Sequence, residues 1–457
     1  MCSNPRILWL NLSGSFVTGL DLECPIDAVA CLDDGQDFDL IQHRSDVVFL
    51  SKERQSRRRV VAHDEATDSV LTSLGGAIQK TLDSGPRASW LLGCPRPSPA
   101  LENFSCETGY AVVSPSAKLC RWLNHKANFF AGRREMGLPA PRGRWLAPSS
   151  IAYRELRNEF GTLFVLQAPR GTTGSGTAII GSAEDLAEAR GRLPVDEEIW
   201  CSPYLGHLSL NINALATPAE TVVSYPSVQL EGPLFQSIHR GMYCGNDFSA
   251  TQALEKTLVE DACEQTRVLG FWLASLGYRG LFGVDYVADE ATGRLVAIDL
   301  NPRWQGSTLL ETMASRLDER LPLAAADLLH GAGLLSDKEI RDRSDAFRLP
   351  LSGSQLVLYG LHREPLCVAQ EVRAGIYRQG ESLTFERDAL ELTDCGDEGE
   401  LLLGSAVVRP GTTIEPGARP ARLFSRRASI DATAGTALQW VAPAVGGVLK
   451  LFGLPSD

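Results

Sequence analysis

Short apolar runs alternate with more polar stretches over the first 118 residues of the chain. The predicted strands are residues 7–12, 28–32, 46–50 and 90–92, and apolar positions at helical spacing predict a helix over residues 68–82. Buried strands that alternate with helices are typical of a parallel sheet covered by helices. The pattern therefore predicts a small α/β domain over residues 1–118.

The middle of the chain continues this alternation with longer helices. Its predicted helices are a pair over residues 115–137, then 151–160, 183–190, one long helix over 250–276 and one that continues into 321–329. Its predicted strands are residues 145–147, 163–168, 177–180, 198–204, 208–216, 281–287 and 295–300. After a charged stretch, the last part of the chain has short apolar runs and Pro-Gly turns, which predict a β-rich region.

Composition narrows the class of protein without naming a reaction. At roughly 150 residues per domain, 457 residues correspond to about three domains. The formal net charge of −12 argues against a broad basic surface for nucleic acid or anionic lipid. Eleven scattered cysteines are typical of reduced thiols, and no apolar run reaches the ~18 residues that span a bilayer. We therefore expect a cytoplasmic protein without a signal peptide, a membrane anchor or a nucleic-acid partner.

A glycine-rich segment lies between two predicted strands at residues 163–180, LFVLQAPRGTTGSGTAII. Gly171, Gly174 and Gly176 permit close backbone approach, and such a loop can point N–H groups at phosphate oxygens. It is neither a Walker A loop nor a Rossmann fingerprint, because a strand follows it where those motifs have a helix. An ordinary hairpin loop remains the alternative interpretation.

Acidic residues interrupt two apolar strands at residues 281–308, LFGVDYVADEATGRLVAIDLNPRWQGST. A turn at residues 289–294 would place Asp285 across from Asp299. Since side chains alternate along a strand, Asp299, Asn301 and Arg303 would share one face. Oxygen ligands of this kind suit Mg²⁺, and an arginine suits a phosphate or carboxylate. A solvated hairpin with a salt bridge is the alternative.

Together the two segments resemble the ATP-grasp superfamily. Its pattern G-x-D, followed by D/E-x-N-P-R, is matched by Gly283, Asp285, Asp299, Asn301 and the Pro-Arg pair after it. The resemblance covers about residues 1–330. The chain resembles the pheganomycin-type peptide ligases in particular, through its first domain, the segment VLQAPRGTTGSGT and its C-terminal extension.

The resemblance implies an α/β (α+β) ATP-grasp fold in four parts. They are a pre-ATP-grasp α/β domain (residues 1–118), an N-terminal subdomain with the glycine-rich loop (119–205), a C-terminal subdomain with the metal hairpin (206–335) and a β-rich C-terminal domain (336–457).

The resemblance also implies ATP and Mg²⁺ as cofactors and a role for each matched residue. Asp285, Asp299 and Asn301 would hold Mg²⁺, and Arg303 would act on the acceptor carboxylate or the transferred phosphoryl group, with Arg240 as a second catalytic candidate. The candidate nucleotide-binding residues are Lys126, Gln167, Arg170, Gly171, Thr172, Thr173, Gly174, Ser175, Gly176, Thr177, Ser202, Tyr204, Leu205 and Asn211.

Two positions depart from the family pattern. Gln167 stands where the strand before the loop usually offers a lysine, so phosphate affinity there would be lower. The hinge at residues 200–205 lacks the usual glutamate, which leaves the ribose contact unassigned; Asn211 and Asn213 are candidates for it.

The leading hypothesis is an ATP-dependent ligase that joins a small carboxylic acid to an amine, such as an amino acid or peptide, in specialised metabolism. A small-molecule kinase on the same fold and a non-catalytic nucleotide-binding regulator are the alternatives, and a homodimer is left open. A biotin-dependent carboxylase is disfavoured because no lysine lies between Lys338 and Lys450 to carry biotin.

Overall fold

The computed structural model describes residues 5–61, 65–86, 89–171, 174, 176–232 and 241–454. The first part of the chain forms the predicted parallel sheet, in the order β3-β2-β1-β5-β6. Its strands are β1 (Arg6–Asn11), β2 (Ile26–Cys31), β3 (Val48–Ser51), β5 (Trp90–Gly93) and β6 (Ala111–Val113), with β4 (Arg58–Arg59) outside this sheet. Its helices are α1 (Gln36–Ser45), α2 (Glu53–Ser56), α3 (Ala66–Leu82) and α4 (Pro99–Thr108).

The next part of the chain is a small antiparallel sheet in the order β7-β10-β8-β9. Its strands are β7 (Arg144–Leu146), β8 (Phe164–Gln167), β9 (Thr177–Ile180) and β10 (Ile199–Pro203). Its helices are α5 (Ala117–Leu123), α6 (Lys126–Glu135), α7 (Tyr153–Phe160) and α8 (Ala183–Arg190). The strand pair β8–β9 carries the glycine-rich loop at its end, as the sequence predicts.

A long antiparallel sheet forms the centre of the molecule, in the order β16-β15-β11-β13-β14-β17-β23-β21-β19-β20, with β12 paired to β11. Its first strands are β11 (Ser209–Ala216), β12 (Thr221–Val223), β13 (Ser227–Glu231), β14 (Tyr243–Asp247), β15 (Gly280–Ala288) and β16 (Leu295–Asn301). The helices of this region are α9 (Phe248–Thr251), α10 (Lys256–Ser275), α11 (Thr308–Leu317), α12 (Leu323–Gly331), α13 (Asp337–Asp342) and α14 (Ser344–Phe347).

Five strands of the C-terminal region extend the same sheet, namely β17, β19, β20, β21 and β23, whereas β18 and β22 join β4 in a three-stranded sheet and β24 and β25 form a two-stranded sheet. Its strands are β17 (Ser354–Val357), β18 (Leu366–Cys367), β19 (Gly375–Gln379), β20 (Leu383–Arg387), β21 (Glu400–Gly404), β22 (Thr413–Ile414), β23 (Arg422–Ser425), β24 (Ile430–Asp431) and β25 (Thr436–Ala437), followed by α15 (Val441–Leu451). The junction is the antiparallel pair β14–β17. A second link joins the two ends of the chain, because β22 pairs with β4 of the N-terminal part.

The prediction of one long helix over residues 250–276 is wrong, because α9 ends at Thr251 and α10 begins at Lys256. Tertiary hydrogen bonds fix the short α9: the Asp247 carboxylate accepts from the Ala250 N–H and from Ser429, and the Ser249 hydroxyl donates to the Arg426 carbonyl. The helix predicted to continue into residues 321–329 is also two helices. The chain leaves the helical conformation after Leu317, where Glu319 has a φ of +55°, and Pro322 is the N-cap of α12.

The apolar core joins the N-terminal part to the central sheet. Trp9 of β1, Leu215 of β11, Leu281 of β15 and Trp304 belong to one buried cluster, and the Trp9 and Trp304 rings lie 4.7 Å apart. This packing holds the end of β1 against the segment after β16. Within the described parts of the chain, no helix is both long enough and apolar enough to cross a bilayer.

Candidate active site

The hairpin β15–β16 has the predicted register, with Asp285 opposite Asp299 and Gly283 opposite Asn301. The two carboxylates therefore lie side by side on one face of the central sheet. Burial raises the pKa of Asp285 to about 6, and repulsion from Asp299 acts in the same direction. A cation between the two carboxylates would remove this repulsion.

An amide network that the sequence analysis missed supports the carboxylates from behind. Asn211 and Asn301 each donate a side-chain N–H to Asp285. Both also donate to the side-chain oxygen of Gln305, Oε1, at 2.7 and 3.2 Å. Gln305 donates in turn to the Ile212 carbonyl and to Asn213. Asn211 and Asn213 thus belong to this buried network, and their role as ribose contacts stays a prediction. Gln305 lies four residues after Asn301, in the turn that follows the hairpin. Its position directly after the metal-hairpin motif was the sequence feature that could have pointed to it.

Lys126 lies at the first position of α6 and reaches the same carboxylates. Its Nζ is 2.6 Å from Asp299 Oδ1, and its side chain is almost fully buried. An ammonium group thus already lies beside Asp299.

The metal-ligand candidates are two carboxylates and one amide, and the described residues contain no group of three His, Cys, Asp or Glu side chains that could hold an ion. This donor set fits a Mg²⁺ ion that takes its other oxygens from phosphate groups and water.

Arg303 lies directly beside the hairpin. It donates to the Asn301 side-chain oxygen at 2.7 Å and to the Trp304 carbonyl at 3.2 Å. Burial lowers the pKa of Arg303, whereas Asp299 and Asp285 oppose that effect. The Asn301 oxygen is turned toward this guanidinium, so Asn301 would have to rotate its amide to offer oxygen to a metal.

The glycine-rich loop closes over one side of this cluster. Gly171, Gly174, Gly176 and Thr177 line the same cavity as Lys126 and the carboxylates. Gly174 has a φ of +80°, and a Cβ there would lie 2.1 Å from the Gly241 carbonyl oxygen. The loop therefore touches the segment before β14 so closely that only glycine fits. The predicted residues Thr172, Thr173 and Ser175, and the catalytic candidate Arg240, lie outside the described residues.

Five predicted nucleotide-binding residues do not line the cavity. Gln167 is buried at the end of β8, opposite Thr177 and Trp200, and Arg170 lies 3.4 Å from Glu197 at the surface. The other three, from β10 and the hinge after it, are Ser202, Tyr204 and Leu205. Their roles toward a nucleotide stay predictions.

The cavity has a volume of about 200 Å³ and draws its wall from distant parts of the chain. Asn11, Ser13, Asp33 and Arg96 come from the N-terminal sheet and its loops. Further residues come from the C-terminal region, which the sequence analysis did not connect with the site: Ser405, Arg419, Ala421 and Arg422. The sequence did contain a feature that could have pointed to Arg422, because it is a charged residue at the start of an apolar strand.

Comparisons with known proteins agree with this architecture, although no family model matches the chain. Over 199 residues, 42% of this chain, it is 24% identical to the [Butirosin acyl-carrier protein]--L-glutamate ligase of Niallia circulans, of which the match covers 46%. It is 23% identical to a carbamoyl-phosphate synthase of Methanobrevibacter smithii over 247 residues, 54% of this chain and 62% of that one. The chain thus spans about half the length of these relatives.

The structural similarities extend over nearly the whole chain. An N5-carboxyaminoimidazole synthase from Aspergillus clavatus, solved with ADP and 5-aminoimidazole ribonucleotide, superposes with a TM-score of 0.57 and 13% identity, covering 97% of this chain and all of that one. The biotin carboxylase domain of the 2-oxoglutarate carboxylase of Hydrogenobacter thermophilus, solved with MgADP and bicarbonate, has a TM-score of 0.59 and 13% identity, with coverages of 93% and 87%. The chain therefore has the mixed α/β ATP-grasp fold.

Proposed function

We propose that the protein is an ATP-dependent ligase that joins a carboxylic acid to an amine through an acyl-phosphate. One observation carries the proposal: Asp285, Asp299, Lys126, Arg303 and the glycine-rich loop line a single cavity. Structural neighbours that bind ADP or ATP, and relatives named as ligases and synthases, support it.

The residues divide the chemistry between them. Lys126 and the backbone N–H groups of the loop would neutralise the phosphates of ATP, while Arg303 holds the attacking carboxylate. A carboxylate oxygen then bonds to the γ-phosphorus as the bond to ADP breaks. The amine nitrogen next attacks the acyl carbon, phosphate leaves with its electron pair, and the nitrogen loses a proton. Mg²⁺ held by Asp285, Asp299 and Asn301 would offset the charge that develops on the phosphates.

Water must be kept from the acyl-phosphate, and the loop geometry suits that task. Gly174 rests against the carbonyl of Gly241, so the loop and the segment before β14 form one lid contact over the cavity. A closed lid would delay hydrolysis until the amine arrives.

The finer proposal is a peptide-type bond in specialised metabolism. The resemblance of residues 165–177 to the pheganomycin-type ligases supports it, as does the butirosin relative, whose name gives L-glutamate as a substrate. A second candidate is carboxylation, with bicarbonate as the acid, because the similarity to carboxylase domains and to N5-carboxyaminoimidazole synthases spans the C-terminal region as well.

Mass spectrometry of the products tests the proposal. The full chain is incubated with ATP, Mg²⁺ and a mixture of acids, amino acids and peptides, with and without bicarbonate, and ADP release is followed in parallel. The ligase predicts ADP release that requires an amine and yields a product of the summed mass less one water. A stable phosphorylated acid indicates a kinase, a product that appears only with bicarbonate indicates a carboxylase, and no ADP with any mixture indicates a regulator.

A further inference from the structure

Four arginines line the cavity, and three of them, Arg303, Arg419 and Arg422, have only neutral hydrogen-bond acceptors among the described residues. Arg303 uses the Asn301 amide and a carbonyl; Arg422 donates to the Gly306 carbonyl at 3.0 Å and to Gln355 Oε1 at 3.1 Å. Arg419 donates to the Tyr359 hydroxyl and lies 5.3 Å over its ring. Among the described residues, no carboxylate oxygen lies within 4 Å of any of these three guanidinium groups.

A buried arginine with a structural role looks different in the same molecule. Arg59 is 1% exposed, forms an ion pair with Glu53 through two nitrogens, and fills its remaining donors with the carbonyls of Asp34, Ala406 and Arg419. Arg422 is 6% exposed and has no such ion pair among the described residues. A buried charge without a counter-ion is costly, and an anionic ligand removes that cost.

The charges near Arg422 make the same point. Burial lowers the pKa of Arg422, and the positive charge of Arg419 acts in the same direction. Asp33, the carboxylate on this part of the wall, is itself 3.8 Å from Arg59. Burial raises the pKa of Asp33, while the positive charges of Arg59 and Arg419 lower it, so this one carboxylate faces Arg59 and Arg419 as well as Arg422.

The positions of the arginines separate two tasks. Arg303 lies next to the metal hairpin, where the carboxylate to be activated must be. Arg419 and Arg422 reach the cavity from the C-terminal region, on and before β23, and the Arg422 guanidinium lies 5.8 Å from the Phe16 ring of the N-terminal part. Phe16 and Trp304 add aromatic surface to this wall.

We propose that the acid substrate carries a second anionic group, a carboxylate or a phosphate, which Arg419 and Arg422 bind while Arg303 holds the carboxylate that reacts. This rests on the proposed function for the role of Arg303. It gives the C-terminal region a task in the reaction: it selects acids with two negative charges.

Calorimetric titration of the full chain without ATP tests this with three probes of matched length. Glutarate has two carboxylates, glutaramate has one carboxylate and one amide, and 4-phosphonobutyrate has a carboxylate and a phosphonate. We expect at least one dianion to bind about tenfold or more tightly than glutaramate. The tighter of the two dianions identifies the second group as carboxylate-like or phosphate-like.

The variants assign the preference to the arginines. Arg419→Gln and Arg422→Gln should each reduce dianion affinity about tenfold and leave glutaramate affinity within about threefold, whereas Arg422→Lys should keep part of the preference. Arg267→Gln is the matched control, because Arg267 lies on the outer helix α10 and pairs with Glu264. If Arg422→Gln does not fold, Arg419→Gln decides, since within the described parts of the chain the Arg419 guanidinium makes one hydrogen bond, to the Tyr359 hydroxyl.

Three outcomes overturn the inference: dianions bind no more tightly than glutaramate, none of the probes binds at millimolar concentration, or Arg267→Gln causes the same loss. Failure of the proposed function is recognisable separately. If dianions bind more tightly but no acid and amine give ADP, the anion site is supported and the ligase proposal fails. If ADP forms without any preference for dianionic acids, the ligase proposal is supported and the anion site fails.

Discussion

Asp299 is the carboxylate whose removal tests the chemistry most directly. Asp299 is partly accessible and forms an ion pair with the buried Lys126, and an asparagine in its place fills the same space without the charge. We predict that Asp299→Asn lowers ADP release at least about a hundredfold, because a negative ligand at the phosphates is lost. The midpoint of thermal unfolding should fall, since the buried Lys126 ammonium loses its ion-pair partner, a loss that the removed repulsion of Asp285 offsets in part.

Asp289→Asn provides the matched control for that experiment. Asp289 is partly exposed at the turn of the same hairpin, where it accepts hydrogen bonds from Ala291 and Thr292. This variant should keep wild-type turnover. Substantial activity in Asp299→Asn would place the metal site elsewhere.

Glu311 of α11 predicts a pH dependence of stability. It is 2% exposed, its Oε1 accepts from Leu323 N–H and the Ser315 hydroxyl, and its buried Oε2 has no partner among the described residues. Burial raises the pKa of Glu311 from 4.5 to about 7. Because the folded protein holds this proton more tightly, stability should fall as the pH rises from about 4.5 to about 7.

Glu311→Gln removes that penalty. Chemical unfolding should give a free energy of unfolding about 2 kcal/mol higher than wild type near pH 8 and about the same near pH 4.5. Glu260→Gln, on the exposed face of α10, should show no such difference. Equal pH profiles for wild type and Glu311→Gln would mean that Glu311 ionises normally in the fold.

At the scale of elements, the glycine-rich loop depends on one close contact. Gly174→Ala adds both the cost of a left-handed backbone and a clash with the Gly241 carbonyl, whereas Gly137→Ala, at a φ of +68° with no neighbour within 4 Å, adds the backbone cost alone. We predict that Gly174→Ala raises the KM for ATP about tenfold and that Gly137→Ala costs about 1 kcal/mol of stability without changing KM. Steady-state kinetics and thermal unfolding of both variants measure this, and an unchanged KM in Gly174→Ala would contradict the lid contact.

Elements defined by local pattern were predictable, and their arrangement was not. Alternation and one turn were enough to place Asp285 opposite Asp299, because a hairpin fixes its own register. The break between α9 and α10 could not be predicted, since Asp247 holds α9 through Ser429, 182 residues away. The same limit hid Arg419 and Arg422, which reach the site through the sheet order β14-β17-β23.

At the scale of the molecule, the continuous sheet makes the C-terminal region part of the ATP-grasp core. Gly245, Asn246 and Asp247 of β14 pair with β17, and β17 pairs with β23. Leu356 and Leu423 belong to the same buried cluster as Leu210 and Val284 of the central strands. The central sheet and its buried cluster therefore contain residues from both sides of the predicted boundary at residue 335.

We predict that a fragment of residues 1–335 lacks a cooperative native state. Truncation leaves β14 with an open edge, uncovers the apolar face that β17 and β23 bury, and removes Ser429, which donates to the buried Asp247 carboxylate. Size-exclusion chromatography should find aggregates, and thermal scans should show no cooperative transition and no stabilisation by MgATP. The full chain with a short Gly-Ser insertion after Gly333 is the control: the insertion lies beside the exposed Leu334 and leaves both sides of the sheet on one chain, so it should unfold cooperatively. A monomeric fragment with a sharp transition would instead show that residues 336–457 are dispensable for folding.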